Sequence, residues 1–436
     1  MIKRTYYLET FGCQMNVHDS EKMAGILEHE GYTRTLEPKL ADLILFNTCS
    51  IREKAEQKFY SRLGRIKTIK ARNPLAKIVV AGCIAQQDGK KLTARAPYVD
   101  FVFGPDNLKY IRDIAAEVAK EQFVLSENPA LTDEALPSLR EDGIRAWVNI
   151  MYGCNNFCSY CVVPYTRGRE RSRPSRDILM ELRDLAGKGY KEVTLLGQNV
   201  NSYRSDCDFP ELLRHANDIK GIERIRFVTS HPKDLSSGLI HAIKCLDKVC
   251  EHIHLPLQSG STRILQLMNR RYTFNEYREK VEILRENIPD IAITSDIIAG
   301  FPQENDLDHE ATLQAISSIG FDGLFAFKYS SRPGTKAEAI SGHLDESEKS
   351  KRLNDIITLQ NNITDKKNKQ LEGTVQTILI DRPDAKMKPG QLTGRTTTNK
   401  IVLVNNAASI PPGTILSVRI VRAHRHSLIG ERISSR

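Results

Sequence analysis

Three cysteines crowd the stretch GCNNFCSYC, Gly153 to Cys161, with three residues and then two between them and no fourth cysteine alongside. Thiolates at this density suit soft metals and iron–sulfur clusters. A closed structural zinc site takes four protein ligands, and the nine cysteines of the chain, an odd number, do not make a complete disulfide framework. Two readings of Cys154, Cys158 and Cys161 stay open. Either a distant histidine completes a zinc site, or the trio holds a four-iron cubane with one iron left to bind something else.

A second trio is spread over the first hundred residues. Cys13, Cys49 and Cys83 close the stretches ETFGC, FNTC and VAGC, each directly after a short apolar run rich in β-branched residues. The pattern predicts strands at Thr5–Glu9, Leu40–Asn47 and Lys77–Ala81, a weaker one at Asp100–Phe103, and helices near Asp19–His29, Lys54–Ile69 and Leu108–Lys120. Such alternation predicts a flavodoxin-like parallel α/β sheet. The carboxyl ends of parallel strands share one edge, where ligands bind, so the three thiols can converge there although they lie far apart in sequence. The alternative is three small buried hydrophobes, the usual role of free cysteine. Cys207, Cys245 and Cys250 have no metal-like spacing and receive no role.

The elements that must position the first trio follow a linker. Ala130–Gly143, ALTDEALPSLREDG, is polar, carries a proline and has no period. Beyond it the alternation resumes with a longer stride. Strands are predicted at Ala146–Met151, Glu192–Leu196, Arg224–Val228, His252–Leu257, Ala292–Ile298 and Gly323–Phe327, with helices including Arg176–Leu185, Lys233–Lys244, Tyr277–Asn287 and His309–Ile319. Six βα units are too few for the eight of a complete barrel, so an open (β/α)6 partial TIM barrel is expected. Cys154, Cys158 and Cys161 then follow its first strand, at the end where barrel active sites are built. Asp345 opens a helix that continues to about Lys369. After Leu371 the runs GTVQTILI, KIVLVNN and TILSVRIVRA predict a small all-β barrel. The expected divisions are 1–125, a linker at 126–143, 144–370 and 371–436.

Composition bounds the setting. The 436 residues are 40% hydrophobic and 27% charged, as in an ordinary globular protein. No apolar run reaches the ~18 residues of a membrane helix, and the first residues carry no signal-peptide core. A cytoplasmic protein is therefore expected, where thiols stay reduced and clustered cysteines more often bind metals. The net charge of +9 is unevenly placed: from Lys366 onward there are 13 Lys+Arg against 4 Asp+Glu, so the last 71 residues hold the whole excess. That is the footprint of a polyanion-binding appendage, or simply a soluble basic surface.

The Cys-x3-Cys-x2-Cys spacing, with Tyr160 before the last cysteine, resembles the radical S-adenosylmethionine (SAM) enzymes. The resemblance implies that SAM chelates the free iron through its amino and carboxylate groups. Reductive cleavage then yields a 5′-deoxyadenosyl radical, chemistry that belongs to the cofactor. LLGQNVNSY (Leu195–Tyr203), VTSHP, HLPLQSGS and DIIAGFPQE follow later strands and fit the same cofactor, since small or polar residues let backbone approach a ligand. Tyr160, Gln198, Asn199, Ser230 and Gln258 are the candidate SAM contacts. Gln198 and Asn199 stand where many radical SAM proteins carry a Gly-Gly-Glu element. Read singly, each segment is a plain strand-to-helix turn.

The order of a three-cysteine α/β domain, a radical SAM barrel and a small β domain of the TRAM type resembles the methylthiotransferase family over nearly the full length. GCQMNVHDSE (Gly12–Glu21), NNFCSYCVVPYTRGRERSR (Asn155–Arg173) and HLPLQSGSTRIL (His254–Leu265) are similar to its tRNA-modifying branch. The branch acting on a ribosomal protein aspartate reads Gly-Cys-Pro-Lys-Asn at the first site, and the threonylcarbamoyladenosine branch Gly-Cys-Lys-Val-Asn. The resemblance implies two [4Fe–4S] clusters, an auxiliary one on Cys13, Cys49 and Cys83 that carries sulfur, and a SAM-binding one on Cys154, Cys158 and Cys161. One SAM gives a methyl group and a second gives the radical. The implied reaction is methylthiolation of C2 of N6-isopentenyladenosine next to the anticodon. The alternatives are the same chemistry on another tRNA adenosine or a ribosomal protein aspartate, and a non-enzymatic metal protein that binds RNA.

The implied partners are a tRNA anticodon stem-loop and an electron donor such as flavodoxin or ferredoxin, with the chain a monomer. Arg395, Lys400, Arg419, Arg422 and Arg425 are expected to grip phosphates, while an unstacked loop base inserts between the domains. The basic run TRGRERSR (Thr166–Arg173) either guides that base or forms a solvated helix start with local salt bridges.

Overall fold

The computed structural model describes residues 4–50, 53–127, 136–140, 142–383, 390–405 and 410–433. The first unit alternates β1 (Thr5–Thr10), α1 (Gln14–His29), β2 (Thr33–Arg34), β3 (Leu43–Thr48), α2 (Glu53–Arg72), β4 (Lys77–Gly82), α3 (Cys83–Asp88), α4 (Lys90–Arg95), β5 (Phe101–Phe103), α5 (Tyr110–Ala115) and β6 (Phe123–Val124). Its strands run parallel in the order β2-β1-β3-β4-β5-β6, the flavodoxin-like doubly wound arrangement. Central β3 is buried at every position because helices cover both faces. Phe46, Phe59 and Ile78 pack on one side, and Met23, Leu45, Val79 and Ile111 on the other. β2 and β6 are two residues each, too short to show a period in sequence. α1 starts at Gln14, well before the expected Asp19, because extended Cys13 serves as its N-cap.

The second unit comprises β7 (Arg145–Asn149), β8 (Met151–Tyr152), α6 (Val163–Thr166), β9 (Arg171–Ser172), α7 (Ser175–Gly187), β10 (Glu192–Leu196), α8 (Phe209–Asn217), β11 (Arg224–Phe227), α9 (Ser237–Cys245), β12 (His252–His254), α10 (Thr262–Leu267), α11 (Phe274–Asn287), β13 (Ala292–Ala299), α12 (Asp306–Ile319), β14 (Gly323–Lys328) and α13 (Glu346–Lys369). Two parallel triplets, β7-β10-β11 and β12-β13-β14, are joined by a bridge between Ile225 and Val249. The result is an open six-stranded barrel with β7 and β14 at its edges, its helices packed on the outside around one continuous core. β12 stops at His254 rather than Leu257. Pro256 has no amide hydrogen to give the ladder, and Gln258 turns the chain with a φ of +73°.

The third unit is a closed barrel of β15 (Val375–Ile380), β16 (Leu392–Thr396), β17 (Ile401–Val404), β18 (Ile415–Ala423) and β19 (Leu428–Arg432) in the order β15-β16-β17-β19-β18. Ile378, Val402, Val418 and Leu428 fill it, and closure removes the sheet edges. The β16–β17 hairpin docks at the amino end of β11. Arg224 donates to the Arg395 carbonyl at 2.5 Å, and Arg226 to the Thr396 and Thr397 carbonyls at 2.7 and 3.0 Å.

Of the expected linker, residues 128–135 and 141 lie outside the described residues. The described part carries no helix or strand and lies over α1. There the Leu139 amide donates to the Glu21 carbonyl at 2.8 Å and Arg140 reaches Glu181 of α7 at 2.6 Å.

Candidate active site

Cys13, Cys49 and Cys83 stand at the carboxyl ends of β1, β3 and β4, neighbours in the sheet. Two glycines set how closely their turns approach. A Cβ on Gly12 would fall 2.6 Å from the Cys49 Cβ, and one on Gly82, whose φ is +94°, would fall 2.4 Å from the Thr48 carbonyl oxygen. No side chain fits either place, so the turns can interlock only with glycine there. Asn16 and Asn47 stitch the first two turns together. Asn16 Nδ2 donates to the Thr48 carbonyl at 3.0 Å, Asn47 Nδ2 donates to the Asn16 carbonyl at 2.7 Å, and Asn16 Oδ1 accepts from the Cys13 amide at 3.3 Å. A hydrogen bond from Cys49 draws the Cys13 thiol down to about 5, against the effect of burial. Burial raises the Cys83 thiol, and the positive charge of Arg167 pulls the other way.

The second trio occupies the loop bracketed by the antiparallel β8–β9 pair. Its backbone is held from three sides. The Ser159 amide donates to the Met268 carbonyl at 3.0 Å, the Ala337 amide donates to the Ser159 carbonyl at 2.8 Å, and Asn269 Nδ2 donates to the Phe157 carbonyl at 2.9 Å. Buried Arg270 points at the trio, with Nη1 3.4 Å from Cys158 Sγ and 3.5 Å from the Tyr160 hydroxyl, while Nη2 donates to the Pro256 carbonyl at 3.0 Å. Burial raises the Cys154 thiol and pushes Cys161 up to about 12. A metal's charge beside thiols so placed favours the thiolate.

The polar atoms of the barrel rim fall into a pattern. Asn149 Oδ1 at the end of β7, Asn199 Oδ1 after β10, Ser230 Oγ and His231 Nε2 after β11, and the Tyr329 hydroxyl after β14 are all buried with no hydrogen-bond partner. Buried polar groups are normally paired, and a polar ligand seated on this rim would supply the partners. Of the five candidate SAM contacts, Asn199 and Ser230 belong to this ring. Asn199 Nδ2 donates to Asp234 at 2.7 Å. Gln258 is buried in left-handed backbone and bridges to β13. Tyr160 packs in the apolar cluster of Met268, Phe301 and Tyr329. Gln198 lies further over, donating to the Met15 sulfur on α1.

That last contact belongs to a seam between sheet edge and barrel rim. Arg167 donates to Asp19 at 2.8 Å, Arg171 to Asp106 at 2.8 Å and Arg332 to Glu56 at 2.5 Å, and α3, which begins at Cys83, packs on α6, which follows Cys161. The two trios therefore face each other across the seam. Within the basic run Thr166–Arg173, Arg167, Arg171 and Arg173 are not solvated but form ion pairs with α1, the Asp106 turn and Glu181. Arg169 alone of its arginines is exposed, stacked over the Phe157 ring at 4.4 Å. Asn16, Asn47, Asp19, Asn269 and Arg270 were not singled out from sequence. Only Asn16 carried a local signal, three positions beyond Cys13 in the GCQMN stretch.

The RNA candidates divide. Arg419 and Arg422 are exposed on β18, and Arg425 is exposed but paired with Asp365 of α13 at 2.6 Å. Arg395 and Lys400 lie in the docking seam instead. Lys400 Nζ sits 2.9 Å from Asn368 Oδ1 and 3.4 Å from Asp322, and burial lowers both side chains' proton affinity.

Among the described residues, no three His, Cys, Asp or Glu side chains close around a single-ion position. A cubane spreads its ligand sulfurs wider than one zinc ion does. Two sets of three thiols, each at a strand-end rim, are the donor chemistry of [4Fe–4S] clusters with an open iron, and the unpartnered rim atoms suit a polar cofactor beside one of them. The residues fit both groups.

The chain matches three family profiles in order: "Uncharacterized protein family UPF0004" over residues 5–104, "Radical SAM superfamily" over 148–316 and "TRAM domain" over 369–433. Among solved structures it is similar to a cobalamin- and [4Fe–4S]-bound radical SAM methyltransferase from Kitasatospora setae, with a TM-score of 0.57 at 14% identity over 77% of this chain and 74% of that one. It is also similar to the cobalamin-dependent radical SAM enzyme OxsB, with a TM-score of 0.55 at 13% identity over 82% and 56%. These likenesses show the fold. Fold, cysteine trios and profile order define a radical SAM enzyme with an added three-cysteine domain and a TRAM domain.

Its sequence relatives are more specific. The chain is 55% identical to the tRNA-2-methylthio-N(6)-dimethylallyladenosine synthase of Thermodesulfovibrio yellowstonii over 99% of each chain, and 46% identical to that of Carboxydothermus hydrogenoformans over the same shares. It belongs to the tRNA-2-methylthio-N(6)-dimethylallyladenosine synthase family.

Proposed function

We propose that this chain methylthiolates C2 of N6-dimethylallyladenosine beside the anticodon of tRNA, using SAM and two [4Fe–4S] clusters. The facing of the two cysteine trios across the seam carries the reading, since attaching sulfur at a C–H carbon needs a hydrogen-abstracting centre and a sulfur carrier at one nucleobase. When bound, the cofactors supply hydrogen abstraction and the sulfur to be transferred.

The protein's part is placement. Cys154, Cys158 and Cys161 hold one cluster on a loop pinned by Asn269 and Arg270, and Cys13, Cys49 and Cys83 hold the other at the sheet edge. Asn199, Ser230 and the neighbouring rim atoms bind and orient the polar cofactor. Arg419 and Arg422 hold the RNA backbone, which gives affinity rather than sequence choice. The divisions 1–125, 144–370 and 371–436 then read as auxiliary-cluster, radical and RNA-binding units. A monomer working in the cytoplasm with a flavodoxin- or ferredoxin-type electron donor suits this chemistry. Among the described residues no helix is long and apolar enough to cross a membrane.

The test is turnover by reconstituted protein on anticodon stem-loops, with product identified by mass spectrometry. Methylthiolated dimethylallyladenosine is expected, together with about eight irons per chain. Zinc, or a single cluster, or no methylthio product would defeat the reading.

A further inference from the structure

β14 is the open edge of the partial barrel, and its residues alternate in what they touch. Leu324 and Ala326 pack against the core between the strands and the outer helices, and Lys328 reaches Glu346 of α13 at 2.7 Å. Phe325 and Phe327 therefore point to the opposite, inner face. Their register partners on β13 are Asp296 and Ile298. They are 57% and 42% exposed, the two exposed phenylalanines among the described residues. Contiguous exposed apolar surface marks a binding site more often than chance, and here it lies inside the barrel.

The setting narrows the occupant. Ile298, beside Phe327, packs in the same apolar cluster as Tyr160, the residue before Cys161, so the patch continues the wall behind the cysteine loop. On its other side the His254 ring lies 6.0 Å from Phe325, and His254 Nε2 lies 3.3 Å from Asp296 Oδ2. An apolar shelf thus adjoins a polar pair in a cleft whose rim is otherwise polar. The substrate proposed above has the matching division, a polar adenine ring carrying a branched five-carbon group that makes no hydrogen bonds.

We infer that Phe325 and Phe327 form the subsite for the N6-dimethylallyl group of the target adenine, making the enzyme selective for the alkylated base. The inference rests on the proposed function. Burial of the alkyl group against two phenyl rings supplies the selectivity, and adenine without the group leaves the rings wet.

The test compares stem-loops bearing dimethylallyladenosine or plain adenosine at the same position, on reconstituted full-length protein, by fluorescence anisotropy and by kcat and KM. Wild type is expected to prefer the alkylated stem-loop. The double variant F325A/F327A is expected to lose roughly tenfold or more of that preference, chiefly in Kd and KM, with plain stem-loop binding unchanged. F325L/F327L, which keeps apolar bulk, is expected to keep most of it. Iron content checks folding, and single alanine variants replace the double one if its iron is low. Full preference retained in the alanine variants overturns the inference. So does equal loss for both stem-loops, which would make the rings a stacking platform for the base. A wild type that converts neither stem-loop defeats the proposed function itself.

Discussion

Arg167 and Asp19, each six positions beyond a cysteine of a different trio, meet across the domain seam at 2.8 Å with only 3% of either side chain exposed. The Arg167 charge also opposes the rise that burial imposes on the Cys83 thiol, so one guanidinium links the loop after the barrel trio to the sheet-edge trio. Desolvation offsets most of the attraction in such a pair. Its physical value lies in register, because any sliding of the two units would leave a buried charge without its partner.

Removing one partner should therefore be costly. Arg167→Met is expected to lower unfolding stability by about 3–5 kcal/mol, the usual consequence of stranding a buried charge. Asp19→Asn, which keeps a hydrogen-bond acceptor, should cost less. Urea unfolding followed by circular dichroism measures both, and equal stability of all three proteins would mean that the pair does not set the seam.

The two trios should separate in their products. Cys158→Ala is expected to abolish SAM cleavage. Cys49→Ala should still form 5′-deoxyadenosine but give no methylthiolated adenosine. Mass spectrometry of small molecules and digested RNA reads both, and methylthio product from the Cys49 variant would remove the sulfur-carrier role from the sheet-edge trio.

Glu21, under the linker on α1, gives a pH signature. Burial raises its carboxyl to about 7 from an ordinary 4.5, with Asp142 and Glu181 adding to the rise and Arg140 opposing it. Between those values the folded state keeps a proton that the unfolded state has lost. Stability contributed by the protonated form is thus complete below 4.5 and lost as pH rises through 7. The loss is on the order of 3 kcal/mol at most. Glu21→Gln should flatten stability from about pH 5 to pH 8 and exceed wild type at the upper end. Parallel pH curves in thermal melts would contradict this.

Salt should distinguish the basic residues of the last unit. Arg419→Ala and Arg422→Ala are each expected to weaken stem-loop binding and reduce the log–log salt slope by about 1. Arg395→Ala and Lys400→Ala should loosen the docking seam, visible as a lower melting temperature, with the slope unchanged. A slope that moves only with the seam pair would place the phosphate grip there.

The clearest sequence signals were those whose causes are local. The spacing of Cys154, Cys158 and Cys161 is legible because one loop supplies all three thiols. The convergence of Cys13, Cys49 and Cys83 could be anticipated because a parallel sheet brings its carboxyl strand ends to one edge. Helix starts were less accurate where a cap replaced the apolar period, as at Cys13. Two-residue strands such as β2 and β6 left no period to read.

The amino-acid order by itself determined the three units, their sequence along the chain and the two thiol sets, since spacing, alternation and turn chemistry are properties of neighbouring residues. Tertiary structure alone decided which charge meets which. An arginine reads the same in sequence whether it faces phosphate, water or a carboxylate, and packing sent Arg167 to Asp19 and Arg395 into the barrel seam while leaving Arg419 exposed at the surface, donating to the Gly373 carbonyl at 3.0 Å. The unpaired rim atoms and the bare phenyl rings of β14 likewise exist only once separate strands close into one barrel, because burial and exposure are properties of the assembled surface.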